Sequence, residues 1–356
     1  MSQLIIPEPA WQIVYNDTDV TSHLEDSVTE VTYTEEVGGK ANCIEIRIDD
    51  SLRVWQNIET SKLQGASIAL SIGYAGAPLV PCGTFQFDER ALEGPPDIFI
   101  IRAIQAPIGK PLRTRNTVAY EGVTLKQLAG QIAARHSLTS VSDAVSPDVT
   151  LQRVTQNREE DLAFLARIAS EHGYEVQVRN DQLIFYSRLA LETASISAMI
   201  VRTNLTRFRL IDQILGNKTY AGAEVRYFDP RTKALVHGSA TDSTTQSSDT
   251  LKVTCRCESS QHAALKASSH LHRCNRKKCM TELDLPGTMQ YRAGQRVQIS
   301  GWGTFDLNDY LVQRARHRLS REGYRTALTL ETNVQQSGPT GGTQKVVSDV
   351  VSDNES

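Results

Sequence analysis

Residues 41–74 read ANCIEIRIDDSLRVWQNIETSKLQGASIALSIGY, and this stretch decides the fold class. Ile44, Ile46 and Ile48 alternate with Glu45, Arg47 and Asp49, and Ile68, Leu70 and Ile72 repeat the pattern before a turn at Gly73–Pro78. A period of two places the apolar side chains of each run on one face of a half-buried strand. Asp49-Asp50 ahead of Trp55 marks a strand end and a loop. Working outward, Trp11–Tyr15 and Val20–Leu24 flank Asn16-Asp17-Thr18-Asp19, a hairpin signal. Phe85-Gln86-Phe87 and Ile98–Ile101 supply further strands around Gly94-Pro95-Pro96. Short strands at this spacing predict a small barrel or sandwich.

The middle of the chain changes period. Thr124 and Gln127 form a capping-box pair, and Leu125, Leu128, Ala129 and Ile132 line one helical face ending near His136. A second helix is predicted after Asn157 as cap, with Glu159, Glu160 and Asp161 at the positive end of its dipole. Its stripe is Leu162, Leu165, Ile168 and Ala169, and Gly173 supplies the stop. Glu175–Arg179 and Leu183–Tyr186 follow as a hairpin about Asn180-Asp181.

From Val201 the strand pattern returns, at Phe208–Ile211 and Ala223–Phe228. Gly238–Thr250 reads as a Ser/Thr-rich loop and Ser260–Arg273 as a helix. Cys279–Leu285, Gln295–Ile299, Tyr310–Gln313 and Arg325–Glu331 read as strands. The chain is thus predicted to be mainly β with an α+β insert. Residues 1–115 form a β domain, 116–190 the insert, 191–333 a second β-rich domain, and 334–356 a polar tail too poor in apolar residues to order itself.

An apolar share of 40% in 356 residues supports two or three cores. A net charge of −3 gives no field to gather nucleic acid or an anionic membrane. No run approaches the roughly 18 apolar residues of a membrane helix, and Met1–Gln12 lacks the pattern of a secretory signal. Synthesis is therefore expected in a cytoplasm that keeps thiols reduced.

Four segments taken in order resemble the late-control D family of phage tail proteins, the central hubs of contractile tails and R-type pyocins. They are Ala41–Tyr74, Tyr120–Leu138 (YEGVTLKQLAGQIAARHSL), Thr155–Phe185 (TQNREEDLAFLARIASEHGYEVQVRNDQLIF) and Pro286–Leu330 with its Ala-Gly-Gln, Gly-Trp-Gly and Gly-Tyr-x-Thr-x-Leu order. The resemblance implies two tube-like β-barrel or sandwich domains, with a LysM-like element and a helix-hairpin between them. It implies a structural, non-enzymatic baseplate hub that joins a sixfold tail tube to a threefold spike in the virion tail, assembled in the bacterial host cytoplasm. The implied partners are two further copies in a homotrimer, the spike, the tube and tube-initiator proteins, the tape-measure protein and the baseplate wedge, with no specific nucleic acid and no membrane.

A cell-wall binding or lytic tail protein is the competing class. Against it, Glu121-Gly122-Val123 stands where a glycan-binding LysM module has Gly-Asp before Thr-Leu. A glycosidase needs two carboxyls roughly 5–9 Å apart, and nothing singles out such a pair. No Gly-x-Ser-x-Gly elbow, His-Glu-x-x-His or phosphate loop is present. The basic runs at Arg273–Lys278 and Arg314–Arg325 read as solvated faces or as contacts to an acidic partner.

Cys255, Cys257, Cys274 and Cys279 crowd into one stretch, while Cys43 and Cys82 stand alone. In a strand, Cys255 and Cys257 project to one face, and the following helix carries the chain back to Cys274 and Cys279. Convergence of the four, with His270 or His272 as substitutes, suits zinc or an iron–sulfur cluster in a closed structural site. Two disulfides, or buried thiols packing as small apolar groups, are the alternatives.

Overall fold

The computed structural model describes residues 7–38, 41–105, 114–144, 148–179, 181–212, 219–229, 233–242, 245, 247–276 and 279–332. The 334–356 tail, for which flexibility is expected, lies outside these residues.

The alternating isoleucines do what their period requires. Cys43–Asp49 buries Ile44, Ile46 and Ile48, and Ser67–Tyr74 buries Ile68, Leu70 and Ile72. Both strands belong to a 13-stranded sheet. Its path starts at Arg207–Asp212 and passes through Cys279–Pro286, Gly323–Thr332 and Asp309–Ser320. It continues through Val28–Glu36, Cys43–Asp49, Ile98–Ile104, Val80–Glu93 and Ser67–Tyr74 to Pro9–Tyr15 and the two-residue Thr18–Asp19. Ala198–Val201 pairs in parallel with Arg296–Ser300, which pairs with Asp309–Ser320.

Two separate barrels are therefore not what the strands build. Asp309–Ser320 pairs antiparallel with Val28–Glu36, from Arg314 opposite Glu36 to Ser320 opposite Glu30, and this seam makes one sheet of the two β-rich ends. The physical reason is edge protection, since each half covers an edge the other would leave open. The basic run at Arg314–Arg325 takes part: Arg314 pairs with Glu36 at 2.9 Å and Arg318 with Glu30 at 2.6 Å.

Each half nevertheless curls around its own core. In the N-terminal half, Ile13 and Ile72 share a cluster with Val31, Tyr33 and Ile44 from the far side of that half, joined by Leu319 and Tyr324. In the C-terminal half, Leu283, Leu328, Val312, Val297 and Ile200 close a second cluster. No strand pairing closes either half into a barrel among the described residues.

The insert is a separate α+β layer. Arg115–Thr124 pairs with Thr150–Glu160, and Thr139–Ser142 lies parallel to Gln182–Ser187, the partner of Tyr174–Arg179. The helices Leu125–Arg135 and Asp161–Glu171 pack between them on Leu128, Ile132, Phe164 and Ile168. The Thr124–Gln127 capping box forms as predicted. Gly173, with φ +77°, lies two residues beyond the second helix. That helix begins at Asp161 rather than after Asn157, because Asn157 is held in a strand opposite Thr117.

Within residues 191–333 the strands also build a third small unit. Gly222–Asp229 pairs with Ala234–Thr241 and with Thr250–Thr254, and the Ser260–Asn275 helix covers this sheet. Ala234–Thr241 overlaps the start of the predicted Ser/Thr loop; Gly238 lets the helix lie directly on the strand, since a Cβ there would stand 2.2 Å from Ala264 N. At the N-terminus, Asn16 and Asp17 at φ 43° and 64° turn the predicted hairpin, but its return stops at Asp19 and Thr21–Leu24 is helical.

Candidate functional site

The carboxylates that invite a catalytic reading are already engaged. Asp161 is fully buried and accepts from Asn116 Nδ2 at 2.9 Å, Gln156 Nε2 at 2.7 Å and Arg135 NH1 at 2.9 Å, with His136 Nε2 at 2.8 Å. Burial alone would raise its pKa, but these partners outweigh that and hold it at about 2. A carboxylate so saturated organises the insert and is not free to shuttle protons. Its neighbour Glu159 pairs with Arg167 at 2.9 Å.

Charge instead marks the joint between the parts. Arg188 is buried and reaches Glu331 at 3.0 Å, Glu192 at 3.3 Å and Glu175 at 3.4 Å. Arg276 adds a contact to Glu175 at 3.5 Å and to Glu331 at 3.6 Å. Burial raises the Glu192 carboxyl even beside Arg188. The cluster ties the insert, the main sheet and the end of the Ser260–Asn275 helix together. Breaking one member leaves the others as buried, uncompensated charge.

Several of the exposed apolar side chains lie on edges and connections. Leu52 and Leu307 are 87% and 85% exposed, on the loops after Cys43–Asp49 and before Asp309–Ser320. Asp50 holds the first loop by accepting from Trp55 N and Gln56 N at 2.8 and 2.9 Å, and Asp306 holds the second from Gly301 N and Trp302 N. Met199 and Phe208 are exposed on Ala198–Val201 and Arg207–Asp212, each paired on one side only among the described residues. These two edges approach without pairing: Phe208 meets Trp302 edge-on at 5.7 Å, and Arg202 lies over the Phe208 ring at 4.7 Å. Exposed edges and apolar loop residues of this kind are places where another chain can pack or add a strand.

The four cysteines predicted as metal ligands do not come together. The strand ends at Thr254, so Cys255 and Cys257 lie beyond it, with Cys257 in the core under the Ser260–Asn275 helix. Cys279 belongs to the C-terminal core of the main sheet, its sulfur 3.8 Å from Tyr310 Oη. Cys274 is half-buried in the last turn of the helix. All are free thiols, and among the described residues no three His, Cys, Asp or Glu side chains are grouped to hold a metal ion. The donor set does not fit zinc or an iron–sulfur cluster, because the two ends of the stretch are drawn into different cores. Of the two histidines proposed as substitutes, His270 neighbours Cys255, and His272 is held below its usual range by burial.

No family model matches the sequence. The chain is 32% identical over 188 residues to the probable baseplate hub protein of Escherichia phage 186, covering 52% of this chain and 47% of that protein. It is 28% identical over 199 residues to the probable baseplate hub protein of Escherichia phage P2, covering 56% and 50%. The match thus spans about half the length of these relatives. Among solved structures, a 43 kDa tail protein of prophage MuSo2 from Shewanella oneidensis superposes with a TM-score of 0.67 over 91% of this chain and 98% of that one. At 13% identity that likeness is one of fold.

Proposed function

We propose that this relative of the phage baseplate hub proteins is itself the structural hub of a contractile tail baseplate. The observation that carries the reading is the pair of curled half-sheets, each with its own core, fused through one strand seam. Three such chains in a ring would present six comparable β units toward a sixfold tube and a threefold opening toward a spike. The two halves would serve as the tube-like units, with the exposed edges and the Leu52 and Leu307 loops meeting neighbouring chains. Binding is the output, which agrees with carboxylates committed to structure and with relatives named as baseplate proteins. The chain would sit in the virion tail baseplate among spike, tube, tape-measure and wedge proteins.

Deletion of the gene from the element that carries it, followed by negative-stain microscopy of induced particles, tests this. Loss of assembled baseplates, restored by the gene supplied in trans, is the expected result. Complete, contracting particles without the protein would overturn the reading.

A further inference from the structure

Cys255 and Cys257 differ from the other thiols in their surroundings. They occupy the unpaired segment between the Thr250–Thr254 strand and the Ser260–Asn275 helix, and the Cys257 sulfur turns back to the Cys255 carbonyl at 3.4 Å. Residues two apart stand at most about 7 Å apart in a fully extended chain. A less extended segment brings their Cα atoms inside the roughly 4.4–6.8 Å range that a disulfide spans. Cys257 and His270 are both hydrogen-bonding neighbours of the Cys255 sulfur.

The tautomer of His270 is fixed by its other partner. Arg273 NH2 lies 2.8 Å from His270 Nδ1, and a guanidinium only donates. Nδ1 therefore accepts, the neutral ring carries its proton on Nε2, and that N–H is the donor left for the sulfur. Lys266 adds a positive charge nearby. The Cys257 hydrogen bond, then His270 and Lys266, lower the Cys255 thiol against the opposing effect of burial; the same bond and burial raise Cys257. Cys255 is partly exposed and Cys257 buried, so one sulfur is placed to attack a disulfide arriving from solvent and the other to resolve the product.

We propose that Cys255 and Cys257 are a redox pair, a dithiol that exchange with a low-molecular-weight disulfide converts to a local Cys255–Cys257 disulfide. The Cys255 thiolate bonds to one sulfur of the incoming disulfide, whose S–S bond breaks and releases the first thiolate. Cys257 gives up its proton and bonds to the Cys255 sulfur, expelling the second half. Two protein thiols are oxidised, one small disulfide is reduced to two thiols, and the two protein protons end on those thiols. A bridge across so short a loop is strained and readily reduced, which makes it a labile device rather than a structural staple.

The pair sits where its state is felt. The carbonyl of Arg256, between the two cysteines, accepts from Lys266 Nζ at 3.0 Å, and the same Nζ pairs with Glu171 of the insert at 2.8 Å. Glu258 accepts from Gln152 N and Arg153 N at 2.8 and 3.1 Å. Closing the bridge pulls on these two of the contacts between the insert and the helical unit.

The test incubates the full-length protein with oxidised glutathione and maps non-reduced peptides by mass spectrometry. The peptide holding both cysteines should lose the mass of two hydrogen atoms and regain it with a mild dithiol. Cys257→Ser should instead trap one glutathione on Cys255, and His270→Ala should slow bridge formation by about tenfold as the thiolate loses its donor. A wild-type peptide that stays a dithiol, or a bridge from Cys255 to Cys274, would overturn the proposal.

Discussion

His262 Nε2 lies 2.6 Å from His172 Nε2, with the rings stacked at 4.9 Å, and the two imidazoles join the insert to the helical unit. Their outer nitrogens settle which one donates. His172 Nδ1 is 2.8 Å from the Ile168 carbonyl and must donate to it, leaving its Nε2 as acceptor. His262 Nδ1 accepts from Glu258 N at 3.4 Å, so its Nε2–H donates to His172. A further proton on this pair would set two N–H groups against each other.

Acid should therefore loosen the joint. Burial, above all, holds both rings down to about 4; for His172 the charge of His262 and then Lys266 add to it against the Ile168 carbonyl and Glu171, and for His262 Lys266 adds to it against Glu258 and Glu171. In the unfolded chain they titrate near 6.5. With folded values below unfolded ones, their contribution is fully present above about 6.5 and is lost as pH falls toward 4. Chemical denaturation between pH 7 and pH 4 should show stability falling across this window. The double variant His172→Gln/His262→Gln should show a shallower fall, the remainder including buried His317. Equal slopes in both proteins would contradict the assignment.

Asp161→Ala should cost about 3–5 kcal/mol, the usual penalty for removing one partner from a buried charge cluster. It strips the acceptor from Asn116, Arg135, His136 and Gln156 together. Urea unfolding followed by the signal of the insert measures it. Because this carboxyl is depressed to about 2, its support is present above the unfolded value near 3.9 and disappears as pH falls through 2.

Two glycines should respond oppositely to alanine. At Gly238 a Cβ would meet Ala264 N at 2.2 Å and Ala263 C at 2.4 Å, so Gly238→Ala must push the helix off its strand, at a cost of about 1–3 kcal/mol or more. Gly130 lies inside the Leu125–Arg135 helix with nothing within 4 Å of an added Cβ, and Gly130→Ala should stabilise by roughly 0.5–1 kcal/mol. Melting temperatures of the two variants give the comparison.

Elemental analysis of anaerobically purified protein should find zinc and iron well below one atom per chain, with no visible absorption band. The separation of Cys279 from Cys255 and Cys257 into different cores requires this result. Stoichiometric metal would mean that the four thiols meet after all.

What could be read from the sequence was whatever local period or local capping decides. The isoleucine alternation and the Thr124 capping box are of this kind. Asn157 misled because cap preference is local, while pairing with Thr117, forty residues away, fixes it in a strand. The Ser/Thr stretch misled because Gly238 and Ala240 are buried as small residues under a helix, which composition does not reveal. The seam of Asp309–Ser320 on Val28–Glu36 joins positions almost three hundred residues apart, and neither strand's pattern names its partner. The cysteines show the same limit: spacing sets them close in sequence, and long-range packing draws Cys257 and Cys279 into different cores.

The central claim is a hub built to join unlike symmetries, and the mass of its complex tests that most directly. The protein should be co-expressed with a candidate spike protein from the same genome, purified through a tag on the spike, and measured by multi-angle light scattering. The account predicts a single species of three hub chains with three spike chains. A hub that elutes as a monomer and leaves the spike behind would contradict it.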